Sequence, residues 1–308
     1  MRILQIHPMM KTLHGSEHVV IDLSRRFVRD GCDVEIITLY IAEECRRELD
    51  NRVKVRELRC AFGKEGIVGT GLQYFVLPLW VILATRKYDV ILAHASGSIL
   101  AAFFLKRTRG GRLVYYCYEP PRFVYDLLDI TRKRLSLLER GLLAVFTPFL
   151  RWIDVFSTRS ADRVLTLSQY NANSINTIYG IGNVYVAYPG VELSRFPYHG
   201  TIKKKDDCFV LLSVGKLHHR KNLELQLYAL RRLIGKYRHI RLVVVGYGSR
   251  FQDLISLINL FCHILIPYSL ASVIRVIFLH QLNPTLVDLL CRSFLFQSED
   301  FVIIFHAI

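Results

Sequence analysis

The run Ser213-Val214-Gly215-Lys216-Leu217-His218-His219-Arg220-Lys221-Asn222 follows directly on the apolar residues 208–212. Helix-like residues 223–234 come next, then strand-like 241–245 and Gly246-Tyr247-Gly248. A buried strand that ends in glycine, then cations, then a helix start, suits an anionic ligand. Glycine lets backbone approach closely, the helix N-terminus offers unpaired N–H groups, and lysine neutralises phosphate. Lysines at a loop–helix junction are also common as plain solvated side chains, so the run alone leaves both readings open. The local architecture is clearer: strand, glycine turn, helix and strand form the repeating unit of a parallel sheet.

The same unit recurs upstream. Residues 2–7 read as a buried strand, and 17–30 as an amphipathic helix. Val20, Leu23, Phe27 and Val28 share one face of that helix, with Asp22, Arg25, Arg26 and Arg29 opposite. Gly31 supplies the stop, and 33–39 the next strand. Further strands are expected at 90–94, 112–116, 163–167 and 183–187. Residues 198–207 are polar, carry Lys203-Lys204-Lys205 and read as a linker. The expected fold is α/β, with two doubly wound domains facing a cleft. In such sheets ligands bind beyond the carboxyl ends of the strands. Gly15, Lys216, Gly246 and Gly248 all follow strands, so both halves are expected to contribute to one site.

The chain has 308 residues, 41 Lys and Arg against 26 Asp and Glu, and a net charge of +15. That balance favours an anionic partner: a nucleotide, an acidic membrane surface or nucleic acid. The basic residues are dispersed and carry no zinc-finger spacing or RNA-binding motif, so no nucleic acid is expected. The seven cysteines are scattered, with no Cys-x-x-Cys pair, which suits a reduced, cytoplasmic setting. Residues 1–8 are too short an apolar run for a signal peptide. Three apolar stretches stand out. Residues 254–274 contain no Asp, Glu, Lys or Arg, yet hold Pro267, so a span, a membrane-leaning helix and a degraded helix are all open readings. Residues 67–83 and 142–156 read as helices packing on the sheet. Basic Arg132, Lys133, Arg134, Arg140 and Arg151 near the second fit an anionic bilayer and a solvated face equally well.

Several motifs, in order, resemble retaining glycosyltransferases of family 4. Gly215-Lys216-Leu217, followed by Lys221-Asn222, resembles the donor-phosphate loop. Residues 1–8 resemble the first strand. His14-Gly15-Ser16-Glu17-His18 is similar to the Gly-Gly-Ala-Glu-Arg loop. Residues 117–126, starting Cys117-Tyr118-Glu119-Pro120-Pro121-Arg122, resemble a segment of mannosyltransferase-like members. Tyr188-Pro189-Gly190-Val191-Glu192 and Ser298-Glu299-Asp300-Phe301 resemble two further stretches, the second being the start of Glu-x7-Glu.

The resemblance implies the GT-B fold: two Rossmann-like domains, here an acceptor-side domain at 1–196, a linker at 197–207 and a partial nucleotide-sugar-binding domain at 208–308. It implies retaining transfer of a hexose, with mannose favoured by 117–126, from a GDP- or UDP-sugar to a glycan or lipid-linked acceptor of the cell envelope. Cytoplasmic location, with peripheral contact at the inner membrane face, goes with that role. Gly15, Gly215, Lys216, Lys221, Gly246 and Gly248 would bind donor, Glu299 would act catalytically on the donor sugar, and Tyr118 and His94 would face the acceptor. No metal and no cofactor is implied, because cations and helix N-termini stabilise the leaving diphosphate.

The sequence also departs from the family pattern. Lys216 stands where arginine is commoner, which keeps the charge but loses the bidentate fork. His14 replaces a loop glycine, Tyr118 a histidine and Val302 a glycine, and Ala307 stands at the second glutamate of Glu-x7-Glu. The chain stops where the family continues, so the second domain is expected to be incomplete. Two alternatives therefore stay open beside the enzyme: an inactive remnant that binds nucleotide weakly, and a membrane-associated non-catalytic subunit.

Overall fold

A computed structural model describes residues 1–13, 15–58, 76–83, 86–133, 135–182, 184–190, 193, 209–234, 236–237, 240–246, 248–265 and 274–277. The chain divides into two compact units, Met1–Leu193 and Ser194–Ile308.

Unit 1 is built on strands β1 (Arg2–Ile6), β2 (Asp33–Thr38), β3 (Lys54–Glu57), β4 (Val90–His94), β5 (Arg112–Tyr116), β6 (Arg163–Thr166) and β7 (Val184–Val186). Its helices are α1 (Gly15–Arg29), α2 (Glu43–Arg47), α3 (Ser96–Arg109), α4 (Leu128–Lys133), α5 (Leu137–Arg159) and α6 (Gln169–Tyr179); residues 76–82 are also helical. The strands form one parallel sheet in the order β3-β2-β1-β4-β5-β6-β7. The order reverses between β1 and β4. Right-handed crossovers then place the early helices on one face and the later ones on the other. Side chains along the strands record this. Ile36 packs with Val20, Ile21 and Val28 of α1, whereas its neighbour Ile37 joins Leu4, Ile6, Ile91, Ile99 and Leu113 on the opposite face.

The strands expected from sequence are present. β3 is additional: its residues Lys-Val-Arg-Glu are too polar to announce a strand, being a half-exposed edge. Helix α1 matches the amphipathic expectation, but its fully buried positions are Glu17, Val20, Ile21, Ser24 and Val28, with Leu23 and Phe27 only half-buried. Gly31, at φ 76°, ends it: the N–H groups of Gly31 and Cys32 return to Val28 and Phe27. The stretch 142–156 is helical, inside α5. Only part of its apolar side packs inward, however: Leu143 is buried and Val155 leans on the core, while most of the others face outward, because the rest of the buried side of α5 is Thr147, Asp154, Ser157 and Thr158.

Unit 2 contains β8 (Phe209–Val214), β9 (Ile240–Val245) and β10 (Ile274–Ile277), parallel in the order β10-β9-β8. Helices α7 (Leu223–Ile234) and α8 (Phe251–Leu265) connect them. Leu217, Leu223, Leu227, Leu230, Leu242, Val244 and Leu254 form its core. The uncharged stretch 254–274 is thus not one membrane-crossing helix. It begins inside the 15-residue α8, with Leu254 buried, and ends on β10, which pairs with β9. Among the described residues no helix is long and apolar enough to cross a membrane.

Candidate functional site

In unit 1 the sheet reversal opens the carboxyl ends of β1 and β4, where such folds bind ligands. His7 follows β1, His94 closes β4, α1 starts at Gly15, and Tyr118 lies two residues past β5. A line of buried hydrogen bonds joins them. Ser24 Oγ of α1 donates to the Val20 carbonyl at 2.8 Å. Gln5 Nε2 donates to Ser24 Oγ at 2.6 Å and reaches the Val20 carbonyl at 3.4 Å. Those partners fix the amide orientation, so Gln5 Oε1 is the atom that faces His94 Nε2 at 2.8 Å. His94 must carry its proton on Nε2. Its Nδ1 then accepts from the Tyr118 hydroxyl at 2.7 Å. A longer contact, 3.4 Å, joins that hydroxyl to the Ser16 carbonyl. Asn171 Nδ2, on α6, holds the Tyr118 carbonyl at 2.6 Å.

His94 is therefore neutral and committed on both nitrogens. Burial, and then the neighbouring His7, push its pKa well below the usual histidine value. Burial likewise raises the Tyr118 phenol far above its usual range, so it stays protonated. His94 positions Tyr118 and offers no free nitrogen. His7 is different. It is buried, its ring centroid lies 6.4 Å from that of His94, and neither ring nitrogen makes a hydrogen bond of acceptable geometry. Burial lowers its pKa, against Glu17 and the nearby Met9 backbone, which favour the charged ring. The backbone here is tight. Ala95 has φ 63° and ψ 163°, a region costing a non-glycine residue about 1–3 kcal/mol. A Cβ on Gly97 would lie 3.0 Å from Pro8 Cγ.

Of the residues expected from sequence, the structure gathers Tyr118, His94 and the α1 start at Gly15 and Ser16. Sequence reasoning missed Gln5, His7 and Ser24. Gln5 is the readable one, a lone polar residue inside an otherwise apolar strand that had to find a buried partner.

In unit 2, Gly215 and Lys216 follow β8 and their loop meets Gly246 and Gly248, which follow β9, while Lys221 comes later in the same loop. A Cβ on Gly246 would sit 1.8 Å from the Gly215 carbonyl oxygen, and one on Gly248 2.2 Å from that of Leu217. No side chain fits at either position, so the two loops lie backbone to backbone. Gly215 N–H donates to the Val245 carbonyl at 2.9 Å, while Leu217 plugs the core. The chain then makes a 3-10 turn (His219–Lys221), passes Asn222 at φ 47°, and enters α7. Lys216 and Lys221 are exposed, and among the described residues no carboxylate pairs with either. Glu224, in the first turn of α7, is bound by Arg250, which also holds Asp253 at 2.7 Å. Glu299, Val302, Ala307, His14 and the linker 197–207 lie outside the described residues. Among the described residues no three His, Cys, Asp or Glu side chains gather as a metal site.

The Glycosyltransferase Family 4 profile matches residues 13–195, more than half of the chain. The human alpha-1,3/1,6-mannosyltransferase ALG2 is 29% identical over 280 residues, which are 82% of this chain and 62% of that protein. The chain thus spans less than two thirds of that relative's length. Among solved structures, Anabaena HepE in complex with UDP has a TM-score of 0.61 at 15% identity, covering 93% of this chain and 71% of that one. Sucrose-phosphate synthase from Thermosynechococcus elongatus has 0.63 at 13% identity, covering 93% and 72%. At such identities these likenesses show the fold, the GT-B architecture.

Proposed function

We propose, since this chain belongs to Glycosyltransferase Family 4, that it transfers a hexose from a nucleoside-diphosphate sugar to a glycan or lipid-linked acceptor, with retention. The bond between the anomeric carbon and the diphosphate breaks, and an acceptor oxygen takes its place on the same face of the ring. Mannose is the favoured sugar, on the strength of the likeness to the human mannosyltransferase. The observation that carries the reading is the loop between β8 and α7. Two exposed lysines precede the start of α7, and Gly246 and Gly248, packed on that loop, admit no side chain. Lys216, Lys221 and the first N–H groups of α7 would stabilise the departing diphosphate. Tyr118, held by His94, would meet the acceptor.

The test is calorimetric titration of the chain and of Lys221→Ala with GDP and with UDP. Loss of one charge-assisted contact is expected to weaken binding by about 1.5–3 kcal/mol. The preferred nucleotide identifies the donor base. Unchanged affinity in the variant, for a nucleotide that the parent binds, refutes the assignment.

A further inference from the structure

Helix α5 is inverted relative to the core it packs on. Its buried side is Leu143, Thr147, Asp154, Ser157 and Thr158. Its exposed side carries Leu138, Leu142, Val145, Phe149, Trp152 and Phe156, spaced four, three, four, three and four apart. That spacing lays all six along one stripe. Val145 is 73% exposed and Trp152 61%. Phe149, Trp152 and Phe156 stack in series, with ring centroids 6.2 and 5.6 Å apart and planes within 19° and 13°. Phe103 of α3 meets Phe156 edge-on at 5.1 Å, and exposed Phe104 extends the patch. A contiguous aromatic surface of this kind marks an interaction site.

Its charges identify what covers it. At the N-terminal end lie Lys133 and Arg140, with Arg140 Nη2 donating to the Lys133 carbonyl at 3.3 Å, and Arg132, which an exposed Asp129 approaches at 3.6 Å. At the other end, Arg107 lies one turn beyond Phe103 and Phe104 on α3, while Arg159, one turn beyond Phe156, is tied through its Nε to the Tyr179 carbonyl. The two acids of α5 are both engaged: Glu139 in the capping box with Ser136, and Asp154 on the buried side. The patch is therefore apolar along its middle and cationic at both ends. Two copies laid along it, parallel or antiparallel, would set cation against cation on a chain of net charge +15. Among the described residues no helix, α5 included, is long and apolar enough to cross a bilayer.

We propose that unit 1 docks on an anionic lipid bilayer through this stripe. α5 lies in the interface plane, with Phe149, Trp152 and Phe156 at the headgroup boundary and the flanking arginines and lysine on lipid phosphates. The docking stands on unit 1 alone, whether or not the chain transfers sugar.

The experiment is flotation of the full chain with phosphatidylcholine vesicles, with and without phosphatidylglycerol. It is paired with the emission of Trp152 in a Trp80→Phe background. Binding is expected only with the anionic vesicles, weakening with salt, with a blue shift of Trp152. Val145→Glu/Trp152→Glu, at exposed positions, is expected to keep its circular dichroism and bind about tenfold or more weakly. Arg107→Glu/Lys133→Glu, which leaves the apolar residues alone, is expected to weaken anionic binding as well. Equal behaviour of parent and both variants overturns the proposal, as does a folded parent that ignores anionic vesicles. A concentration-dependent dimer that Val145→Glu abolishes overturns it in favour of a second copy of the chain.

Discussion

Helices α1 and α5 are both amphipathic and belong to the same unit, α5 being the richer in apolar residues, yet they turn their apolar sides in opposite directions. α1 turns Val20, Ile21 and Val28 inward and its arginines outward. α5 turns its aromatics outward and holds the core through polar contacts. Asp154 Oδ2 accepts from Tyr179 at 2.7 Å and Tyr125 at 3.0 Å, and Arg151 Nε donates to the Val124 carbonyl at 2.8 Å. Lys106 and Arg159 add ties to the Ser160 and Tyr179 carbonyls. Apolar periodicity thus reports that a helix has a sticky side, not which partner that side meets. Buried hydrogen-bonding groups decide the orientation, since leaving them unpaired costs more than exposing a few aromatic rings.

The largest effect that tests this contrast is a carboxylate placed on each helix. Val20→Asp buries an unpaired charge and is expected to cost about 4 kcal/mol or more, enough to unfold unit 1. Val145→Asp is expected to stay within about 0.5 kcal/mol. Urea unfolding followed by circular dichroism compares them, and equal losses would erase the distinction between the two helices.

A second, smaller effect sharpens the account of α5. Burial raises the Asp154 carboxyl to about 6, against the two tyrosine hydrogen bonds that lower it. Its folded pKa lies above its unfolded one, so between about pH 4 and 6 the unfolded chain releases a proton that the folded chain keeps. Stability from this group is therefore full at low pH and falls as pH rises, by about 3 kcal/mol above pH 6. His7 and His94 act oppositely: their depressed values weaken the fold as pH drops below about 6.5. Asp154→Asn is expected to remove the loss at high pH while keeping the histidine limb. A stability–pH curve unchanged by the substitution would mean that Asp154 is not held as described.

The smallest effect concerns α1. Ser24, its most deeply buried polar residue, is fully paired, whereas Asp154 Oδ1 has no hydrogen-bond partner. Ser24→Ala strands one N–H of Gln5 and is expected to cost about 1–2 kcal/mol, read by the same unfolding titration.

These contrasts show what was legible beforehand. β1, β2, β4, β5, β8 and β9 were readable as short apolar runs closed by turn residues, and Gly31 as a stop. Glycines that follow strands pointed to close approach of backbone to an anionic ligand; that Gly246 and Gly248 meet the backbone of Gly215 and Leu217 was not legible. The orientation of α5 was not readable, because Asp154 gives no sign in sequence that Tyr125 and Tyr179 will meet it from 29 and 25 residues away. The Tyr118–His94–Gln5–Ser24 line escaped for the same reason, since its links span up to 89 positions. Periodicity reads one element at a time, while these contacts are made between elements.

That line also has a direction. Each proton points away from Tyr118: its own toward His94, the imidazole's toward Gln5, the amide's toward Ser24, the hydroxyl's toward Val20. Tyr118 therefore meets a visitor as a lone pair. It would welcome a sugar hydroxyl that brings its own proton and turn away a phosphate oxygen, which brings none. In this way Ser24, three hydrogen bonds away, would help decide which group Tyr118 accepts.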